Sequence, residues 1–468
     1  MKKILSLLLT LTVILNVAAA AAVSSFAATP EPVLVGETAI LLDMKTGEIL
    51  YSKNPDAQRY PASTTKIMTA ILALENLQLS DSVTVDAETP FEVKGSHIAL
   101  VPDEVLTTEQ LLYGMMTESA NDCALVLGKQ ISGSTEAFAE LMNKRAAELG
   151  AKNTHFVNPN GLHNDAHLST AYDLAMFARY AMTDPNISEV FRTLVTTYKY
   201  HIPATNKQDE RFLYNTNRLL YDTVHKVTVN GEQRVFKYEG VTGVKTGYTS
   251  DAGGCLVASA ERNGTELLCV VMKSTDDGRF GDCIAMLDWG FANYHTVSKM
   301  EKGTSLGTVA VKRGEDKEVE AELASAIDVT LPIELSAESL VTKTVLDETV
   351  QAPVKKGQQL GTVEIYNGDT LVTTGAAIAV RSVAEGGILA FFRNHGGLFK
   401  KIGTGILIVF LLLVLWLVVY ILIKRRQVRL RKERRRQRIE ARKREEAAQR
   451  EAWEAEFERI RRESRPRR

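Results

Sequence analysis

The stretch Pro61-Ala62-Ser63-Thr64-Thr65-Lys66-Ile67-Met68-Thr69-Ala70 places a serine and a lysine three residues apart. The proline and the apolar residues that follow predict the start of a helix, with both side chains on one helical face. A neighbouring amine with a lowered pKa can take the proton of a serine hydroxyl and so activate it as a nucleophile. Taken alone, the pair also fits a capped helix with an exposed lysine, so its meaning depends on partners elsewhere in the chain.

The charges of this 468-residue chain are segregated, although its formal net charge is only −1. Residues 424–468 hold 20 basic and 9 acidic side chains, whereas residues 1–423 hold 36 basic and 48 acidic ones. Such a distribution indicates two compartments or two kinds of partner. The length suggests two or three domains and is sufficient for a large core.

The N-terminal segment has the features of a secretory signal. Lys2 and Lys3 precede an apolar run over residues 4–23, and small residues stand at Ser25 and Ala27. This pattern predicts a signal peptide over residues 1–27 that is cut after Ala27, with an uncleaved anchor as the alternative.

A second apolar run covers residues 402–423 and contains no charged residue. It is long enough to span a hydrocarbon core of ~30 Å, which favours a transmembrane helix over a buried core helix. Basic residues follow at once, so the positive-inside rule puts the tail at 424–468 in the cytoplasm and the preceding part outside. The protein is thus expected at the cell membrane as a single-pass protein, whose tail is available to a cytoplasmic partner.

The composition changes near residue 297. From there to residue 383, short strand-like runs alternate with turns rich in glycine and lysine, which predicts a small β-sandwich domain. Residues 384–401 combine phenylalanine, glycine and basic residues, and we interpret them as a juxtamembrane linker. The β domain holds no cluster of acidic, histidine or cysteine residues that would indicate a second active site.

Four cysteines would lie outside the membrane, where disulfides are permitted: Cys123, Cys255, Cys269 and Cys283. Cys255 and Cys269 stand in two apolar runs joined by Asn263-Gly264, a hairpin turn that would pair residue 258 with residue 269. Since residues 255 and 258 point to opposite faces of a strand, Cys255 and Cys269 would also face apart. The sequence therefore favours free, buried thiols over a bridge between these two.

Two further motifs give the Ser63–Lys66 pair its partners. Ser119-Ala120-Asn121 follows a predicted helix, and Lys245-Thr246-Gly247 lies in a strand-like segment. A second Lys-Thr-Gly at residues 45–47 joins two short apolar runs, and we interpret it as a hairpin turn. Ser-x-x-Lys, Ser-x-Asn and Lys-Thr-Gly in this order are typical of the serine enzymes that react with penicillins.

With these motifs, Asn158-Pro-Asn-Gly-Leu162 and His167-Leu-Ser-Thr-Ala-Tyr-Asp-Leu-Ala175, the chain resembles the low-molecular-mass penicillin-binding proteins, the serine-type D-alanyl-D-alanine carboxypeptidases of peptidase family S11. The resemblance covers about residues 32–382. It implies an α+β catalytic domain over residues 32–296, with a five-stranded antiparallel sheet flanked by helices as in β-lactamases and transpeptidases. The β-sandwich at 297–383 would form a stalk.

The resemblance also implies the reaction and its catalytic residues. Ser63 would attack the carbonyl of the penultimate D-Ala in a peptidoglycan stem peptide, and β-lactams would inhibit by forming a stable acyl-enzyme. Lys66, with its pKa lowered by a second cation at Lys245, would serve as the base. Ser119 would relay a proton to the leaving amine, and Asn121 would orient Lys66 and the substrate amide.

The substrate-binding residues implied by the resemblance lie on the third motif and beyond it. Lys245 and Thr246 would receive the terminal carboxylate, and Gly247 would let the substrate backbone run along the strand edge. The backbone N–H groups of the nucleophile and of Tyr248 would hold the oxyanion. Arg279 is a further candidate for the carboxylate, with a surface ion pair as the alternative.

Two other functions would share some of these motifs with the carboxypeptidase. A serine β-lactamase would need a positioned carboxylate to activate water, and the chain has no Glu-x-x-Leu-Asn segment. A non-catalytic, membrane-tethered envelope scaffold would be expected to have lost Ser63, Lys66 or Lys245, and all three are present.

Three histidines lie within a stretch of thirteen residues: His155, His163 and His167. Their spacing lacks the carboxylates of a metalloprotease helix, so no metal site is expected. We likewise expect no cofactor and no nucleic-acid partner.

Overall fold

The computed structural model describes residues 29–387 and 396–463. The predicted signal peptide over residues 1–27 lies outside the described residues, as does the middle of the predicted linker at 384–401. Contacts divide the chain into two compact units. The first comprises the residues up to Gly307 with Ala321–Leu346 and Gln359–Ile378, and the second comprises Thr308–Glu320, Asp347–Gln358 and the residues from Ala379 onward.

Nineteen strands are present in the described part of the chain. They are β1 Thr38–Asp43, β2 Ile49–Lys53, β3 Ser82–Thr84, β4 Val105–Thr107, β5 Lys199–Ile202, β6 Arg211–Tyr214, β7 Lys226–Val229, β8 Glu232–Val235, β9 Val241–Thr249, β10 Gly253–Arg262, β11 Thr265–Ser274, β12 Tyr294–Met300, β13 Ser305–Lys312, β14 Glu318–Leu323, β15 Ile327–Pro332, β16 Val341–Leu346, β17 Thr349–Gln351, β18 Gln359–Asn367 and β19 Thr370–Ala379.

The α-helices of the same described residues lie mainly between the first strands and β9. They are α1 Lys66–Asn76, α2 Thr89–Glu92, α3 Thr108–Thr117, α4 Asn121–Ser132, α5 Thr135–Glu148, α6 Ala171–Thr183, α7 Ser188–Thr196, α8 Gly278–Asn293 and α9 Gly396–Glu463. A short 3₁₀ turn, Ala62–Thr65, directly precedes α1.

The centre of the first unit is a five-stranded antiparallel sheet with the strand order β2-β1-β11-β10-β9. Alternate residues of β1 enter two different apolar cores, because successive side chains of a strand point to opposite faces. Ile40 and Leu42 pack with α1 and its neighbouring helices, whereas Ala39 and Leu41 pack with α8. The predicted sheet flanked by helices is therefore confirmed.

The hairpin between β10 and β11 has the predicted register from Leu256 onward, and the register shifts between Gly254 and Leu256. Ala258 pairs with Cys269 across the Asn263–Gly264 turn. Cys255 lies in the core on the α1 side of the sheet, while Cys269 lies in the core on the α8 side. All four cysteines are free and buried, which confirms the prediction of unbridged thiols.

Beyond α8 the chain forms the predicted C-terminal β domain. In the first unit, β12 pairs with β15, and β18 lies between β16 and β19. Side chains of Leu323, Val329, Leu340, Val363 and Ile365 form the apolar core of this part. In the second unit, residues 310–312 of β13 pair in parallel with residues 349–351 of β17.

The last described element is the long helix α9. It contains the predicted span 402–423 and continues through the charged tail to Glu463. Within the described residues it is the one helix long and apolar enough to cross a membrane. The apolar side chains along residues 406–423 are exposed, as expected for a segment that meets lipid rather than a protein core.

Candidate active site

The serine and the lysine of the first motif meet at the start of α1. Ser63 lies in the 3₁₀ turn and Lys66 is the first residue of the helix. The lysine side chain is completely buried, and its Nζ lies 2.9 Å from Ser63 Oγ. The helical spacing of three residues therefore brings the two groups into hydrogen-bond contact, as the sequence predicts.

Two further acceptors surround the amine. Lys66 Nζ lies 2.6 Å from Asn121 Oδ1 and 2.7 Å from the carbonyl oxygen of Asn160. Burial lowers the pKa of Lys66 well below its ordinary value, and the positive charge of Lys245 lowers it further. A neutral amine held against a serine hydroxyl is the arrangement needed for a general base.

The second motif forms a tight connection between α3 and α4. Asn121 is the first residue of α4, and its side chain donates to the carbonyl oxygen of Lys94 at 2.6 Å. Ser119 is 7% exposed and has a φ of +60°, a left-handed conformation that is unfavourable for a residue with a Cβ. Such strain is typical of residues that a functional site holds in place.

The carbonyl of Asn160 is a feature that the sequence did not reveal. Its loop passes so close to the nucleophile turn that a Cβ on Gly161 would lie 1.8 Å from the carbonyl oxygen of Ala62. Gly161 also has a φ of +81°, so this position requires glycine on both grounds. The Asn-Pro-Asn-Gly pattern predicts a turn, but no side-chain pattern indicates which carbonyl faces the lysine.

His167 connects this loop to the nucleophile turn. Its Nδ1 accepts from the backbone N–H of Val157 at 3.0 Å, so Nε2 carries the proton and donates to Thr65 Oγ1 at 2.8 Å. Burial, aided by electrostatic repulsion from His155, His163 and Lys66, lowers the pKa of His167 to about 3. The imidazole is therefore neutral and fully engaged in hydrogen bonds near the site.

The third motif lies on β9 beside the nucleophile. Lys245 is 1% exposed, and burial together with the charge of Arg279 lowers its pKa to about 7. Thr246 Oγ1 lies 2.6 Å from Thr216 Oγ1. A Cβ on Gly247 would lie 3.1 Å from the backbone nitrogen of Ser63, so glycine lets the strand edge approach the nucleophile.

Arg279 and Tyr248 also lie at this edge. The guanidinium donates to the carbonyl oxygen of Gly247 at 2.8 Å and pairs with Asp276 at 2.7 Å. Arg279 is only 8% exposed, whereas Asp276 is largely exposed, so the ion pair considered as the alternative role exists at the rim of the site. Binding of the substrate carboxylate by Arg279 stays a prediction. Tyr248 pairs with Gly254 of β10 and is 56% exposed.

The look-alike motif at residues 45–47 lies elsewhere. It forms the turn between β1 and β2, where Gly47 has a φ of +76°. Thr46 Oγ1 lies 2.6 Å from Thr330 Oγ1, and Lys45 Nζ lies 3.4 Å from Asp328. Its partners are on β15, which supports its interpretation as a turn.

Comparison with known proteins agrees with this geometry. The sequence model of the D-alanyl-D-alanine carboxypeptidase family, peptidase S11, matches residues 25–276. That of the penicillin-binding protein 5 C-terminal domain matches residues 294–385. D-alanyl-D-alanine carboxypeptidase DacF of Bacillus subtilis is 32% identical over 408 residues, which cover 86% of this chain and 100% of the relative.

Further relatives have the same description. D-alanyl-D-alanine carboxypeptidase DacA of Haemophilus influenzae is 32% identical over 375 residues, covering 78% of this chain and 88% of that protein. Among solved structures, penicillin-binding protein 5 from Haemophilus influenzae superposes with a TM-score of 0.63 at 29% identity, covering 76% of this chain and 100% of that one.

Proposed function

Because the chain belongs to the D-alanyl-D-alanine carboxypeptidase family, we propose that Ser63 is its nucleophile and Lys66 the base that activates it. The enzyme is a serine-type D-Ala-D-Ala carboxypeptidase. The observation that carries the assignment of roles is the contact of one buried amine with Ser63 Oγ, Asn121 Oδ1 and the carbonyl oxygen of Asn160.

In the acylation step, Ser63 Oγ attacks the carbonyl carbon of the penultimate D-Ala while its proton passes to the neutral Nζ of Lys66. The oxyanion accepts hydrogen bonds from the backbone N–H groups of Ser63 and Tyr248; the loss of one such donor typically costs ~2.7–4 kcal/mol in the transition state. The C–N bond then breaks, and Ser119 relays a proton from Lys66 to the departing amine of D-Ala.

In the deacylation step, water attacks the ester that joins the shortened peptide to Ser63 while the neutral Nζ of Lys66 takes a proton from that water. The tetrahedral intermediate uses the same backbone donors, and the serine oxygen leaves with a proton supplied from Lys66. The cycle consumes one water, releases D-Ala and the shortened peptide, and returns Ser63 and Lys66 to their starting protonation states. Asn121 maintains the orientation of Lys66 through both steps.

The terminal carboxylate of the substrate lies against Lys245 and Thr246, with Arg279 adding positive charge behind the strand. A carboxylate next to Lys245 stabilises the ammonium form of this lysine and opposes the effect of burial on its pKa. Substrate binding therefore keeps Lys245 protonated, and the protonated lysine in turn holds the substrate carboxylate. We infer that the physiological substrate is a peptidoglycan stem peptide ending in D-Ala-D-Ala and that β-lactams acylate the same serine.

The location of the enzyme follows from its two apolar segments. We propose that residues 1–27 direct export, that residues 402–423 of α9 span the cell membrane, and that the catalytic domain lies outside it. The basic residues after the span orient the helix with the tail at 424–468 in the cytoplasm, where a cytoplasmic partner can reach it. Protease digestion of intact and opened cells tests this topology, since only opened cells should lose the tail.

Release of D-Ala from a D-Ala-D-Ala peptide by the full-length protein tests the role of Lys66. We expect Lys66→Met to lower kcat/KM by about 10²–10⁴, the range for the loss of a general base. Lys129→Met is the matched control, because Lys129 is a partly buried lysine whose Nζ pairs with Asp86 rather than with the nucleophile, and its loss should leave the rate unchanged. Wild-type rates in a folded Lys66→Met protein would contradict the proposal.

A further inference from the structure

A two-stranded hairpin beside the cleft exposes aromatic and basic side chains on one face. It consists of β5 and β6, which pair with His201 opposite Phe212 and Lys199 opposite Tyr214. These four residues are exposed, whereas alternate residues such as Leu213 turn into the core. The strand alternation thus separates a buried face from an outer one.

The outer face concentrates exposed aromatic rings. Five Phe, Tyr or Trp residues are exposed in the described range 29–300, and three of them belong to this hairpin and its approach: Tyr198 at 46%, Phe212 at 48% and Tyr214 at 44%. We call these three residues the aromatic face. The ring of Tyr198 packs edge-on against that of Tyr214 with the centroids 6.0 Å apart, and it lies tilted against Tyr221 at 4.5 Å, so these tyrosine rings adjoin one another.

The inner side of the hairpin holds this surface rigidly. Tyr200 stacks on Tyr113 of α3 with the ring centroids 3.7 Å apart. Arg211 pairs with the buried Glu104 and donates to the carbonyl oxygen of Ile98 at 3.2 Å. The rings are therefore presented by a fixed element, which reduces the entropy that a ligand must overcome on binding.

One end of the aromatic face reaches the catalytic cleft. The backbone N–H of Tyr214 donates to Glu118 Oε1 at 2.7 Å, and Glu118 directly precedes Ser119. Two residues beyond Tyr214, Thr216 Oγ1 contacts Thr246 Oγ1 of the third motif at 2.6 Å. A polymer whose side branch occupies the cleft would meet the aromatic face first.

We propose that the aromatic face binds the glycan strand that carries the stem peptide, an inference that rests on the proposed function. Sugar rings present apolar C–H faces that can pack on aromatic rings, while their hydroxyl groups need polar partners at the edges. Lys199 lies over the rings of Phe212 and Tyr214, and His201 stacks on Phe212 while its Nε2 contacts Glu210 Oε2 at 2.7 Å, so polar groups flank the apolar surface. An apolar protein partner would not require this alternation of rings and donors.

Sedimentation with isolated glycan strands freed of stem peptides tests the proposal directly. The protein is the full chain in detergent with Ser63→Ala, so that catalysis plays no part. We expect Tyr198→Ser/Phe212→Ser/Tyr214→Ser to weaken binding about tenfold or more. The matched control, Val224→Ser/Ile333→Ser/Leu371→Ser, removes exposed apolar side chains elsewhere and should bind like the parent.

A conservative variant separates ring chemistry from folding. Tyr198→Phe/Phe212→Tyr/Tyr214→Phe keeps three rings and should retain most of the binding that the serine variant loses. Equal binding by the parent and the serine variant, or no binding of the parent to glycan, would overturn the proposal.

A kinetic comparison with Ser63 intact provides the second measurement. The ratio of kcat/KM on glycan-attached pentapeptide to kcat/KM on free pentapeptide should fall about tenfold in the serine variant, mainly through KM. An unchanged ratio would contradict the proposal. Failure of the proposed catalytic function would instead appear as absent D-Ala release from free pentapeptide, while glycan sedimentation of the Ser63→Ala protein would remain measurable.

Discussion

The contact between Gly161 and the nucleophile turn yields a quantitative prediction. In Gly161→Ala the new Cβ would lie 1.8 Å from the carbonyl oxygen of Ala62, whereas Cβ contacts below 3.0 Å are essentially never seen. The loop and the turn must then separate by roughly 1 Å, which moves the Asn160 carbonyl away from Lys66. Because a misplacement of about 1 Å can cost about 10²-fold in rate, we expect acylation to slow by about that factor.

The assay is the rate of acylation of the folded full-length protein by a fluorescent penicillin, with thermal unfolding measured in parallel. Gly150→Ala is the matched control, since Gly150 has a φ of +86° and a Cβ there would contact nothing within 4 Å. The left-handed backbone should cost both variants about 1–2 kcal/mol of stability, and overpacking should cost Gly161→Ala about 1–3 kcal/mol more. Equal acylation rates in the two variants would refute the reasoning.

Three further predictions concern charge, positioning and redox state. The kcat/KM for D-Ala release should fall as the pH rises through about 7, because Lys245 of the free enzyme loses its charge there. Lys245→Arg should shift this alkaline limb of the pH profile to higher pH, even if the variant is slower. An alkaline limb at the same pH in the variant would exclude Lys245 as its source. His167→Phe leaves the Thr65 hydroxyl and a backbone N–H without their hydrogen-bond partner, so the acylation rate should drop and the free energy of unfolding should fall by about 1–3 kcal/mol. His167→Gln should recover part of both losses. Identical behaviour of the two variants would contradict a positioning role for His167. A thiol reagent should titrate none of the cysteines in the native protein and four after denaturation without reductant, and fewer than four would reveal a bridge.

The five-stranded sheet and the motif residues could be predicted from the sequence because both depend on side-chain patterns. The register of Ala258 with Cys269 followed from the Asn-Gly turn, and the contact of Ser63 with Lys66 followed from helical spacing. The two Lys-Thr-Gly motifs differ in their sequence context. The one at 45–47 lies between two short strands, where glycine suits a turn, so the sequence predicts a turn there rather than part of the active site.

The remaining features depend on tertiary approach, which has no local signature. The Asn160 carbonyl reaches Lys66 because Gly161 allows two loops to pack closely, although they are almost a hundred residues apart in the chain. The bridge from His167 to Thr65 has no local signature either, because it forms only when the two loops are assembled. The left-handed backbone of Ser119 is likewise imposed by its surroundings.

The central claim, that Ser63 forms the acyl-enzyme, is tested most directly by mass spectrometry of the full-length protein after reaction with penicillin. We expect one covalent adduct, located on the peptide that contains Ser63 and absent from Ser63→Ala. Ser134→Ala, which removes a hydroxyl that caps α5, serves as the control and should label like the wild type. Persistent labelling of a folded Ser63→Ala protein would contradict the claim.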